Sequence, residues 1–263
     1  MGDLVAVVFF GLLGLQIGSF LNVYILRYPQ NQSLGGRSKC LKCRKTLRWF
    51  ELVPLVSFLV QKGRCRSCRT VLSLQYPLIE SLTAALFIGS YFALHYSSFY
   101  NLQAASYKLA ILFAVWTALS AALVITIIDI RHYLIPDGAV AAIFLSAIPL
   151  AAMRAAYFSD ALYDLAAALV CALILGACWY LSRGRWMGFG DVKLILATSF
   201  FVGFPASILA FVFAFWTGAL VGVALLLLKR TTLKSPLPFG PFILLGAALS
   251  LLVPHWFFGP IGL

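Results

Sequence analysis

Two kinds of residue in this 263-residue chain are spaced for chemistry: aspartates at the edges of apolar runs, and paired cysteines. Asp191 follows two glycines in Gly188-Phe189-Gly190-Asp191-Val192-Lys193, at the mouth of an apolar segment. Asp129 closes the apolar run Val124-Ile125-Thr126-Ile127-Ile128-Asp129, and Leu134-Ile135-Pro136-Asp137 follows. Carboxylates in apolar segments are costly and mark functional sites. A pair of them suits acid–base hydrolysis, one accepting a proton from water and the other donating to the scissile carbonyl. If both runs are helices, Asp129 ends one and Asp191 begins another. The two then meet opposite poles of a helix dipole. Residue types alone leave two readings open: hydrolysis, or a proton-coupled membrane transporter with Asp129 and Asp191 as its relay.

The glycines beside Asp191 have a mechanical reading. Gly188 and Gly190 let the backbone approach a neighbour closely and take positive φ. Asp137, between Pro136 and Gly138, reads first as a helix N-cap and second as a catalytic group. Asp160 and Asp164 read as caps or solvated charges. Glu80 is either an interfacial side chain or a polar site.

The second constellation is Cys40-x-x-Cys43 and Cys65-x-x-Cys68, separated by 21 residues. Four thiolates at this spacing suit one tetrahedral, structural Zn²⁺. Disulfides fit a reducing cytosol less well. Cys171 and Cys178 lie in an apolar run and read as packing residues.

The scaffold follows from composition. The chain is 62% hydrophobic and 11% charged, whereas soluble domains carry about 25% charged residues. It therefore reads as an all-α polytopic membrane protein. Eight apolar runs predict spans at 4–26, 77–96, 107–129, 138–157, 161–181, 191–204, 206–228 and 239–257. The first has no basic residue before it and is long enough to cross a bilayer, so it reads as a permanent helix rather than a cleaved signal. No internal repeat is expected. The span beginning at Asp191 is short, which predicts a recessed, water-accessible start.

The net charge of +12 is clustered. Eleven of the twenty basic residues fall in 27–76, so that loop is expected in the cytoplasm. Eight spans put Arg131, Arg183, Arg185, Lys229, Arg230 and Lys234 on the same side, with Lys193 near it. Lys108 and Arg154 fall opposite, and both termini lie outside. The clustered charge thus reports topology and, beside the cysteines, contact with anionic headgroups. No nucleic-acid partner is expected.

The ordered motifs resemble the bifunctional type IV prepilin peptidases, which are GxGD-type membrane aspartyl proteases. Gly18-Ser19-Phe20-Leu21-Asn22-Val23 resembles the family's opening motif. The four cysteines follow, with Glu51-Leu52-Val53-Pro54 between them and Tyr76-Pro77-Leu78-Ile79-Glu80 after. Asp129 with Leu134–Asp137, Gly188–Lys193 and Pro238-Phe239-Gly240-Pro241-Phe242 complete the set. From the residues alone, Gly18–Asn22 reads first as a helix-packing motif.

The resemblance implies cleavage of a short basic leader from prepilin-like proteins of pilus, type II secretion or DNA-uptake systems. Asp129 and Asp191 would be catalytic, supported by Gly188, Gly190, Asp137 and Lys193. Methylation of the new N-terminus by S-adenosylmethionine is implied as well, with Glu51 and Glu80 as candidate contacts. No glycine-rich nucleotide fingerprint places that methyl donor. The implied organisation is a first helix at 1–26, a cysteine module at 27–76 within a methyl-transfer region of 1–100, and a peptidase domain at 107–263. The implied location is the bacterial inner membrane.

Overall fold

The computed structural model describes residues 2–96, 105–154, 158–230, 232 and 235–253. Among them are nine α-helices and no strand. In order these are α1 (Gly2–Arg27), α2 (Val56–Val60), α3 (Gln75–Tyr96), α4 (Ala105–His132), α5 (Asp137–Arg154), α6 (Phe158–Ser182), α7 (Phe189–Val202), α8 (Ala206–Leu227) and α9 (Gly240–Ser250). An apolar chain in lipid must pair its backbone groups internally, which favours helices throughout.

Each of the eight expected spans falls on one of these helices. Six are long and apolar enough to cross a membrane: α1, α3, α4, α5, α6 and α8. The other two are shorter, with 14 residues in α7 and 11 in α9. At about 1.5 Å per residue, α7 reaches roughly 21 Å, short of a hydrocarbon core of about 30 Å. Residues 155–157 and 254–257 of the expected spans, and Lys234, lie outside the described residues.

The chain forms two compact units, Met1–Ser120 and Ala121–Leu263, and α4 runs from one into the other. In the first unit α1 and α3 form a tight antiparallel pair. A Cβ on Gly14 would lie 2.6 Å from Ala84 Cα, and one on Gly18 would lie 2.7 Å from Glu80 Cα. Asn22 is buried between the helices and donates to Gly18 O and Tyr76 O. Gly18–Asn22 is thus a packing motif. The loop between these helices holds the cysteines.

In the second unit α7 packs against α5, α6, α8 and α9. Its last turn is capped from outside. Arg154, the final residue of α5, donates to Phe200 O (3.1 Å), Phe201 O (2.8 Å) and Val202 O (3.1 Å). Arg154 also pairs with Asp164 of α6 at 3.0 Å. The other Asp164 oxygen accepts the Phe204 N–H at 2.7 Å. Asp164 is therefore a buried tie between helices, not a solvated charge. Helix-end carbonyls have no intrahelical donor, and lipid supplies none. That need explains why an arginine stands there.

Candidate active site and four-cysteine cluster

Asp129 lies in the last turn of α4 and Asp191 in the first turn of α7. They are 4% and 7% exposed. Gly240, which opens α9, donates its N–H to Asp129 Oδ2 at 2.9 Å. Asp191 reaches back along its own helix, where Oδ2 accepts the Gly188 N–H at 3.1 Å. This is half of a capping box, and it locks the carboxylate at the helix mouth.

Ile135 brings the two helix starts together. A Cβ on Gly190 would lie 3.0 Å from Ile135 Cβ, and one on Gly240 would lie 3.5 Å from Ile135 Cδ1. Gly190 of α7 and Gly240, which sits against Asp129 Oδ2, thus share Ile135 as a neighbour. In both carboxylates, Oδ2 accepts a backbone N–H. Each carboxylate also receives an N–H from the start of a helix. The contrast in dipole environment expected from sequence is therefore evened out at Asp129.

Asp137 is the first residue of α5, and its carboxylate pairs with Lys193 of α7. The capping reading gives way here. Pro136 O accepts the Ala139 and Val140 N–H groups, while the Asp137 side chain is spent on the ion pair. Lys193 Nζ also stands over the Phe189 ring, 5.7 Å from its centroid. The pair bridges the starts of α5 and α7 two residues beyond Asp191, at a solvent-exposed position.

The glycine expectation is half corrected. Neither Gly188 nor Gly190 takes positive φ; Gly188 has φ −79° and Gly190 is helical. Gly190 is needed for its close approach to Ile135. Gly188 meets nothing nearer than 3.6 Å.

In the first unit the four sulfurs of Cys40, Cys43, Cys65 and Cys68 lie within 4.8 Å of one another. Tetrahedral Zn–S bonds of about 2.3 Å require sulfurs roughly 3.8 Å apart, and Cys40 and Cys68 are 3.8 Å apart. The donor set and its spacing fit such a metal. Backbone N–H groups of Cys68 and Ser67 hold the Cys65 thiol down to about 7, whereas the Cys68 thiol, although the Thr70 N–H acts to lower it, is pushed up to about 11 by burial and the neighbouring cysteines.

The two knuckles are copies 25 residues apart. Cys40 N bonds Lys45 O and Arg44 N bonds Cys40 O; Cys65 N bonds Thr70 O and Arg69 N bonds Cys65 O. Antiparallel bridges Lys39–Thr46 and Arg64–Val71 close them alike. This local repeat, absent from the sequence expectation, was visible as Cys-x-x-Cys-Arg-x-x-Leu in both.

Glu51 and Glu80 are each engaged by backbone. Glu51 Oε2 accepts the Arg48 N–H at 2.8 Å. Glu80, 6% exposed, accepts the Leu55 N–H at 2.8 Å. Sequence reasoning missed Gly240 as a partner of Asp129. The signal was Pro241, whose fixed φ marks a helix start and with it a free N–H.

The family model described as Type IV leader peptidase family matches residues 116–223, and the one described as Bacterial Peptidase A24 N-terminal domain matches 12–94. A Bacillus subtilis (strain 168) protein named prepilin leader peptidase/N-methyltransferase is 35% identical over 245 residues, covering 91% of each chain. The chain belongs to the type IV leader peptidase family. A Pseudomonas aeruginosa relative of the same name is 30% identical over 270 residues, covering 92% of this chain and 88% of that one. No solved structure matches the chain. Within this leader peptidase family chain, Asp129 and Asp191 fall in the first match and the four cysteines in the second. Membership and six apolar helices make it a multi-pass membrane protein.

Proposed function

We propose that this chain cleaves the basic leader from prepilin-like proteins, with Asp129 and Asp191 as its catalytic pair. The observation that carries the reading is the pair itself: two buried carboxylates at adjoining helix ends, each with one oxygen fixed by backbone. One carboxylate takes a proton from water, whose oxygen attacks the scissile carbonyl. The other donates to the carbonyl oxygen. Collapse breaks the C–N bond, and the leaving nitrogen takes up a proton. Gly190 sets the approach of α7, and Asp137 with Lys193 bridges its start to that of α5. Gly188 supplies the N–H that holds Asp191.

The second reaction is N-methylation of the new N-terminus, as the relatives' names imply. S-adenosylmethionine supplies the methyl group, and Glu51 and Glu80 are the candidate contacts. Cys40, Cys43, Cys65 and Cys68 hold one structural Zn²⁺, which leaves no open position for catalysis. The cysteine loop faces the cytoplasm, and both termini face outward across the inner membrane. Partners are prepilins or pseudopilins and the bilayer.

The test is purified protein incubated with a prepilin and methyl-labelled S-adenosylmethionine, reading cleavage and label together. Wild type cuts and labels; Asp191→Asn does not cut. An Asp191→Asn enzyme that processes prepilin at the wild-type rate sinks the peptidase reading. Gradient-driven flux without cleavage would favour a relay.

A further inference from the structure

The cysteine module carries a cavity whose lining shares only Glu51 with the residues assigned to the two proposed reactions. This cavity of about 900 Å³ opens beside Cys65, ringed by Lys62, Arg64, Arg66 and Arg69. The one carboxylate in its lining is Glu51, already engaged by the Arg48 N–H. Among the described residues none of the four cations forms an ion pair. Arg66 instead lies over the Phe50 ring, 5.3 Å from its centroid. Part of the remaining wall is apolar, with Val56 and Val60 of α2.

Beside this cavity large apolar side chains stand in the open. Trp49 is 78% exposed, Leu59 72% and Val60 76%. No residue of α2 is buried. Apolar residues grouped next to unpaired cations are the composition of a bilayer interface, not of a water-facing surface.

A backbone tether fixes where this group lies. Leu55, just before α2, has φ +58° and ψ −49°, and the Val56 N–H donates to Pro54 O at 2.6 Å. This is a γ-turn of positive φ, strained for leucine. The Leu55 N–H donates to buried Glu80 at 2.8 Å. Glu80 lies five residues into the apolar span that begins at Gln75, about 7.5 Å along it. The strained turn thus draws the start of α2 against the membrane end of α3.

We propose that α2 and this cavity form a binding surface for anionic phospholipid. Trp49, Leu59 and Val60 enter the boundary between headgroups and acyl chains, where tryptophan is favoured. Lys62, Arg64, Arg66 and Arg69 hold the phosphate. Charge complementarity selects acidic over zwitterionic lipid. The proposal uses none of the aspartate chemistry, so it holds whether or not the peptidase reading does.

The test uses full-length protein in nanodiscs of phosphatidylcholine with phosphatidylglycerol. Native mass spectrometry counts lipids retained on release. Wild type keeps phosphatidylglycerol in preference. In the triple variant Arg64→Gln, Arg66→Gln, Arg69→Gln, retention weakens about five-fold for each charge removed. The matched triple Lys42→Gln, Arg44→Gln, Lys45→Gln, on the other knuckle, retains it as wild type does. Equal loss in both triples, or loss in neither, overturns the proposal. So does displacement of the lipid by S-adenosylmethionine or by an oligonucleotide. Wild-type protein gives a second measure that needs no charge variant. Brominated acyl chains quench the fluorescence that Trp49→Phe removes; quenching of that component by aqueous iodide instead would refute the surface.

Discussion

Gly240 donates its backbone N–H to the Asp129 carboxylate across 111 residues of sequence, so the start of α9 is fixed to the end of α4. The contact leaves no room for a side chain, because a Cβ on Gly240 would lie 2.8 Å from Asp129 Oδ2. Gly240→Ala must therefore push the carboxylate or the helix aside. Overpacking of this kind costs about 1–3 kcal/mol. The expected outcome is a lower thermal midpoint with loss of leader cleavage. Gly89→Ala is the control, since nothing lies within 4 Å of a Cβ there, and it keeps near-normal cleavage. Equal damage in both variants would show that the Gly240 contact is not the reason.

Asp129→Asn and Asp191→Asn separate chemistry from folding. In each, an amide oxygen can still accept the same backbone N–H, from Gly240 or from Gly188. Stability should hardly move. Loss of a positioned acid or base lowers the rate by about 10²–10⁴-fold. Cleavage of a prepilin followed by gel shift, with thermal midpoints on the same preparations, checks both halves. Methylation of an already cleaved substrate should persist.

Much of this was legible because apolar runs in a membrane must be helices and because motifs with fixed spacing keep their partners. Asp129, Asp191 and the four cysteines could be picked out from their neighbours alone. The partners supplied by distant segments could not. Gly240 meets Asp129 only through the packing of α7 and α9, which a one-dimensional pattern does not carry. Asp164 read as a cap or a solvated charge because its burial depends on Arg154 reaching from another helix. Asp137 looked like a cap because its neighbours suit one. Lys193 competes for it from 56 residues away.

Metal removal should act locally. The knuckles are held by a few turn hydrogen bonds and the four sulfurs, with little apolar core of their own. Structural zinc contributes on the order of 10 kcal/mol to such modules. Purified protein should carry one equivalent of zinc, and a strong chelator or Cys43→Ser should release it. Hydrogen exchange would then rise across residues 38–72, while the glycine-packed faces of α1 and α3 keep their protection. A wild-type exchange pattern in metal-free protein would show that the thiols need no ion.

The far end of α7 is the place where a change distant from the aspartates should matter most. Arg154 caps three carbonyls there and balances buried Asp164. Arg154→Met removes the charge and the donors at once. It strands Asp164 and leaves the helix end without partners. Breaking a buried pair costs about 3–5 kcal/mol. The Arg154 side chain is 34% exposed, so water recovers part of this, and about 2–4 kcal/mol is expected. Arg154→Lys keeps the charge but not the fork of donors, and should fall between. Gly203→Ala should act like Arg154→Met, because its Cβ would lie 2.8 Å from the Arg154 guanidinium carbon at φ +83°. Asp191 rides on the other end of the same 14-residue helix. A loosened clamp lets α7 shift along its axis, which lowers kcat with little change in KM. Thermal midpoints and steady-state cleavage kinetics test both effects. A wild-type midpoint and kcat in Arg154→Met would show that α7 is held by side-chain packing alone.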